Sequence, residues 1–547
     1  MTLSIEDDWV ARFADEVIDA AAGKPVVCAS GLSPSGPIHL GNLREVMTPH
    51  LVADEIRRRG HACEHIVSWD DYDRFRKVPA GIDESWAEHI GKPLTSVPAP
   101  PGSAHPNWAE HFKAAFSAAL ADLGVQYRAI SQTRMYRDGA YTDQILLAMR
   151  ERQHIDGVLG KYRTKLKAEE GDDDGEGAAG YYPYRPYCTV CERDTTTVTA
   201  YDDATTALTY TCQFGHGETV ELATFHSGKR VWKVDWPMRW VYEGVHFEPS
   251  GVDHSSPGSS FAVGTQLVAE VFGARPPIGP MYAFVGIAGM AKMSSSRGGV
   301  PTPADALQIM EAPLLRWLYS RRRPNQSFKI AFDDEIQRLY DEWDTLTRKV
   351  AAGEAPPADA AAHHRATGTA SGPLPVTARP LPYRMLASVA DITVGDPEQM
   401  LRILHDVDPG QPIATLDEVR PRLDRALHWV STYVPDEQRT HVLAAPDAAL
   451  LASLSPGDHE SLRLLSDGLD RQWSLEGLTT LVYGVPKTRL GLPLDTKPTP
   501  ELKVAQRTFF SLLYRLLVGR ESGPRLPTLL LSLGPSRVRT LLGTASG

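Results

Sequence analysis

The chain has 547 residues, too many for one hydrophobic core and enough for two or three domains. An apolar share of 42% and a charged share of 23% exclude disordered and fibrous classes, and five cysteines are too few and odd in number for a disulfide framework. Net charge is −11, yet residues 501–547 hold seven Lys and Arg against two Glu, so a local surface for nucleic acid stays open. The acidic start MTLSIEDDWV predicts no signal peptide, and no run nears the ~18 apolar residues of a membrane span; a cytoplasmic protein is expected.

The first predicted element is a buried strand over Pro25–Ala29, which runs directly into SGLSPSGPIHLGN (residues 30–42). Leu43, Met47, Leu51 and Ile56 then recur at helical spacing until Gly60, and HACEHIVSW opens a second strand. This is a β-loop-α-β unit of a parallel α/β sheet. Gly31, Gly36 and Gly41 would let backbone approach a ligand, and a helix beginning near Leu40 favours an anion, so the turn predicts a nucleotide phosphate site. A tight turn that merely needs glycine, with a structural His39, would leave the same pattern. Cys28 and Cys63 fall in strand-like runs and are expected in the core. KAEEGDDDGEGAAG (167–180) reads as a solvated loop.

Cys188, Cys191, Cys212 and His216 then form C-x2-C-x20-C-x3-H around an alternating, hairpin-like insert. The pattern fits a structural zinc ribbon, because four protein ligands close the tetrahedron. His226 is a rival fourth ligand, and reduced cysteines without metal are the alternative. Next, GMAKMSSSRGG (289–299) gathers Lys292, three serines and Arg297 among glycines, as suits charge developing on a triphosphate; alone it is also an ordinary surface loop. RWLYSRRRPNQSFK (316–329) is strongly basic, so overall acidity does not exclude a polyanion. Residues 353–380, rich in Ala, Pro and Gly, predict a flexible linker or large loop, and helical Leu-rich segments such as 503–519 follow.

His39-Leu40-Gly41-Asn42 and Lys292-Met293-Ser294-Ser295-Ser296 together resemble the two signature sequences of class I aminoacyl-tRNA synthetases, usually His-Ile-Gly-His and Lys-Met-Ser-Lys-Ser. Asn42 and Ser295 depart from that form. SWDDYDRFRKVP, VDWPMRWVYEGVHFEPSGVDHSSPGSS and LLYRLLVGRESGPRLPTLLLSLG extend the resemblance to the class I lysyl-tRNA synthetases.

The resemblance implies a Rossmann-type parallel sheet over residues 1–300 with a zinc-ribbon-like insertion at about 71–230, a connecting region over 301–380 and an all-α anticodon-binding domain over 381–547. It implies catalysis by His39, Asn42 and Lys292, and ATP binding by Gly31, Ser33, Pro34, Ser35, Gly36, His39, Gly41, Asn42, Lys292, Met293, Ser294, Ser295 and Ser296. The reaction expected is ATP-dependent ligation of L-lysine to lysine tRNA through lysyl-adenylate, with Mg2+ accompanying ATP, zinc as a structural ion, and a monomer. A lysine ammonium needs carboxylates or an aromatic cage, for which Asp70, Asp71, Asp235, Trp236, Trp240, Asp253 and His254 are candidates. Trp236 and Trp240, four residues apart, would equally form a packed apolar face. The rival readings are a synthetase of the same class for another amino acid, and a non-charging paralogue that binds tRNA or adenylylates another acceptor.

Overall fold

A computed structural model describes residues 8–79, 81–163, 176–177, 180–255, 259–288 and 299–544. Two compact units divide the chain. The first takes Met1–Leu307, Ala312–Ile330 and Leu346–Pro375, and the second takes Gln308–Glu311, Ala331–Thr345 and Val376–Gly547.

The first unit is built on a parallel sheet. β1 (Val26–Leu32) pairs with β2 (Cys63–Trp69), and β2 pairs with β3 (Arg128–Ser131). On the opposite edge of β1, Phe247 bridges in parallel to Cys28 and to Ile278. Ser250–Gly251 then pairs in parallel with Met281–Tyr282. The chain thus adds strands on one side of β1 and then crosses to the other. In an open parallel sheet that reversal leaves a crevice at the carboxyl ends, between β1 and its new neighbour. The helix α1 (Trp9–Ala21) precedes β1, and α2 (Leu40–Arg58) follows β1 out of this crevice and ends before Gly60. Leu43, Met47, Leu51 and Ile56 are all buried along it; of the two cysteines expected in the core, Cys28 is buried, while Cys63, at the start of β2, is half-buried.

β3 lies within the stretch 71–230 that the sequence reading assigned to the insertion. It belongs to the core sheet, in register Ile66↔Arg128 to Trp69↔Ser131. Four residues (RAIS) are too short for alternation to show in sequence. Beyond it, Thr196–Tyr201, Ala207–Cys212 and Gly217–Glu221 make a three-stranded antiparallel sheet that carries the cysteines. Most of the acidic loop 167–180 falls outside the described residues.

The structure departs from expectation at two stretches. The stretch 353–380 is not a flexible linker: Pro357–Thr367 is a helix and Gly368–Thr369 pairs with Gly372–Pro373. Arg365, only 6% exposed, ties that helix down through ion pairs with Asp8 (2.7 Å) and Glu55 (3.0 Å). An alanine run behind an N-terminal proline is a strong helix former, which the low-complexity composition concealed. Nor is the basic run 316–329 wholly available to a polyanion. Arg316 is fully buried, donating to Leu123 O (2.7 Å), Arg365 O (2.7 Å) and His50 Nε2 (3.0 Å), and burial lowers its pKa to about 10.

The second unit is helical; among its described residues no strand occurs. Tyr340 stacks on Tyr383 at 4.1 Å, and buried Arg422 pairs with Glu311 (2.8 Å) and Asp344 (2.9 Å). The predicted helix over 503–519 spans Pro500–Val518 and stops at Gly519, whose φ of 69° suits glycine. No helix among the described residues is long and apolar enough to cross a membrane.

Candidate active site

The turn after β1 is held by contacts from distant chain. Trp108 Nε1 donates to Ser35 O (3.1 Å), Leu40 N donates to Pro301 O (3.1 Å), and Tyr319 OH donates to Leu40 O (2.9 Å). Ser33, Pro34, Ser35 and Gly36 form this connection, with Pro34 and Gly36 buried. His39 is the N-cap of α2: its Nδ1 accepts from Gly41 N (3.1 Å), while Asn42 Oδ1 accepts from His39 N (3.3 Å). Nδ1 as acceptor assigns the neutral tautomer with its proton on Nε2. Burial lowers the imidazole pKa, which keeps the ring neutral. His39 therefore offers an N–H donor at a helix N-terminus, where phosphate oxygens are favoured. Asn42 closes the cap. Lys292, Met293, Ser294, Ser295, Ser296 and Arg297 lie outside the described residues.

Carboxylates gather around Gly31 at the end of β1. Glu248 Oε1 lies 3.9 Å from where a Cβ on Gly31 would sit. Burial raises Glu248 to about 7, against the indole N–H groups of Trp236 (3.0 Å) and Trp240 (2.6 Å) that donate to it. Burial raises Glu45, on α2, to about 8; the Tyr282 hydroxyl donates to it, and Glu248 and Asp70 repel its charge. Among the described residues no cation pairs with Glu45 or Glu248.

Asp70 is in the same group, reached through its backbone N–H to Leu32 O (2.8 Å), and burial raises it too. It has a cation: Arg239 Nη1 donates to its Oδ1 at 2.6 Å. Arg239 also pairs with Asp235. Against the cost of burial, Arg239, Arg230 and Lys229 hold Asp235 at about 2.

Of the other predicted lysine contacts, Asp71 does not join the cluster. Fully buried, it accepts from Lys113 Nζ (3.0 Å), Ser131 Oγ (2.7 Å) and Thr133 N (2.8 Å), so its oxygens brace β3 against the loop after β2. Trp236 and Trp240 are placed at the site, as supports of Glu248 rather than as an open cage. His254 sits beside them, its ring 6.0 Å from that of Trp236, and Asp253 is exposed. Glu45, Glu248 and Tyr282 were missed. The period of α2 gave no sign of Glu45, which lies two residues from buried Leu43 and Met47 and so on a different face of the helix.

The cysteine cluster forms as its spacing predicted. Ligand atoms of Cys188, Cys191, Cys212 and His216 lie within 4.8 Å of one another, with Cys191 Sγ 3.6 Å from Cys212 Sγ and Cys188 Sγ 3.5 Å from His216 Nδ1. A tetrahedral zinc with Zn–S of about 2.3 Å has sulfur–sulfur edges of about 3.8 Å, so the donor set fits that ion. His226 is elsewhere, its ring against Gly139.

In the helical unit the basic residues divide. Arg520 donates to Arg439 O (2.9 Å) and Arg537 to Ala444 O (2.6 Å), holding loops, while Lys503, Arg507 and Arg515 are exposed on the helix Pro500–Val518. Phe509 is buried and Tyr514 OH donates to Pro524 O (2.6 Å), so both serve packing; Phe510 and Trp473 are half-buried.

Residues 7–371 match the family described as tRNA synthetases class I (K). The lysine–tRNA ligase of Streptomyces coelicolor is 67% identical over 569 aligned residues, covering 98% of each chain. The lysine–tRNA ligase of Pyrococcus horikoshii is 32% identical, covering 97% of this chain and 98% of its own. That of Treponema pallidum is 30% identical with 98% of each covered.

Proposed function

The chain belongs to the class I (K) tRNA synthetases, and from that premise we propose that it joins L-lysine to tRNA with ATP as the energy source. The observation that carries the amino-acid assignment is the pair of carboxyls, half-buried Glu45 and buried Glu248, beside Gly31 with no cation of the described protein on either. With pKa values raised to about 8 and about 7, both carboxyls favour the anion only beside positive charge, which a cationic ligand supplies. Lysine brings two ammonium groups. A glutamate-specific pocket would need a free cation, and Arg239 is already engaged by Asp70 and Asp235.

The lysine carboxylate attacks the α-phosphorus of ATP, which arrives as its Mg2+ complex, and pyrophosphate leaves. The acceptor hydroxyl of the terminal adenosine of tRNA then attacks the acyl carbon, and AMP leaves. No side chain becomes covalently bound. His39 donates its Nε2–H to phosphate oxygen as charge builds there, and Lys292 with Ser294, Ser295 and Ser296 is assigned to the same phosphates by family resemblance. Cys188, Cys191, Cys212 and His216 hold a structural zinc, and Lys503, Arg507 and Arg515 contact tRNA phosphates from the helical unit.

Charging total bacterial tRNA with ATP, Mg2+ and each amino acid in turn tests this. Charging with lysine only is expected. Charging with another amino acid overturns the pocket, and ATP binding without charging returns the non-charging paralogue.

A further inference from the structure

A buried chain of alternating charge runs from the metal-binding insertion to the crevice: Arg230, Asp235, Arg239, Asp70. Arg230 comes from Gly228–Arg230, which pairs with Tyr184–Pro186, the strand leading to Cys188. Its Nη2 donates to Asp235 Oδ1 at 3.0 Å, and Tyr136 OH donates to the same oxygen. The other oxygen of Asp235 takes Arg239 Nη2, and Arg239 Nη1 reaches Asp70 Oδ1 at 2.6 Å and Ser68 Oγ at 3.3 Å. Side-chain exposure along the chain is 0%, 0%, 7% and 8%.

We propose that Arg230 and Asp235 are positioning residues for lysine recognition, acting through the fixed guanidinium of Arg239 on Asp70; this rests on the lysine reading above. A planar fork fixed at both prongs presents Asp70 in one orientation. Arg239 is also close enough to Glu248 to act on its charge. Released from Asp235, the guanidinium would move toward the carboxylates that await the ammonium groups and compete with the substrate for them. The ATP subsite at His39 does not involve this chain, so its loss separates the two substrates.

The test is steady-state charging with Asp235→Asn, which keeps the shape and removes the charge. KM for lysine is expected to rise about tenfold or more, in line with loss of one partner from a buried charge pair, while KM for ATP stays within about twofold. Arg239→Lys, which keeps charge and loses the fork, should shift KM for lysine in the same direction, and it decides the question if circular dichroism shows Asp235→Asn unfolded. Equal changes in both KM values, or a lowered melting temperature with both KM values unchanged, overturn the proposal. Wild-type protein that charges no lysine would defeat the functional reading itself, before any variant is compared.

Discussion

Glu45→Gln isolates the electrostatic part of lysine recognition. The amide keeps the volume and still accepts from Tyr282, but carries no charge. With burial holding Glu45 at about 8, its carboxyl keeps its proton in roughly nine molecules of ten at pH 7, and ionising it to receive an ammonium costs about 1.4 kcal/mol. Losing one member of a buried charge pair costs about 2–5 kcal/mol. The difference, about 0.6–3.6 kcal/mol, corresponds to a rise in lysine KM of about 3- to 400-fold. Stability moves the other way. The unfolded carboxyl ionises near its ordinary value of 4.5 and the folded one only at about 8, so the folded state binds the extra proton between them. Wild-type stability is fully retained below the lower value and lost as pH rises toward the upper one. The glutamine variant lacks that loss, so its melting temperature should match or exceed wild type and the gap should widen toward pH 8. Charging kinetics and thermal melts at several pH values read both effects. An unchanged lysine KM, or a lower melting temperature at pH 8, refutes the assignment.

The same two carboxylates set a pH profile: with Glu45 at about 8 and Glu248 at about 7, lysine KM should fall as pH rises from 6 to 8, and a flat profile would detach both from the substrate. At His39, alanine removes both the cap and the imidazole, costing about 0.5–2 kcal/mol of stability, whereas asparagine restores a cap acceptor. His39→Asn should therefore melt near wild type yet form adenylate slowly, as read by single-turnover kinetics; full activity would show that the cap is the whole role. Elemental analysis should find one zinc per chain, and Cys191→Ser should lose it and melt lower; wild-type protein grown with zinc but free of it would end the metal assignment.

What was legible in sequence was local. β1, α2 and β2 could be read because a short apolar run, a glycine-rich turn, a 3.6-residue period and Gly60 follow one another within forty residues or so. The cysteine spacing carried its own geometry. The carboxylate pair could not be read that way, since Glu45 and Glu248 meet only because Phe247 pairs with β1 across more than 200 residues of intervening chain. Trp236 and Trp240 pack on one another and on Phe261, the packed face their spacing also allowed, and their indole N–H groups reach Glu248, a contact that nothing in the sequence marks. Asp70 and Asp71 are adjacent and chemically identical, yet one meets Arg239 and the other Lys113. Arg316 shows the same limit, for nothing in a basic run marks the one guanidinium that folds inward.

The threading of the second unit has a consequence for how the protein can be cut or recombined. Its interior needs Glu311 and Tyr340, which precede the main body of that unit in the chain, against Arg422 and Tyr383, which lie within it. Trp429 likewise donates to Phe332 O at 2.9 Å. A gene truncated after Pro375 would keep a buried glutamate without its arginine and one ring of a stacked pair. A separately expressed 376–547 would lack their partners. The workable seam for domain exchange is therefore a set of crossings transplanted together, and homologous replacement of the helical unit must carry 308–311 and 331–345 with it.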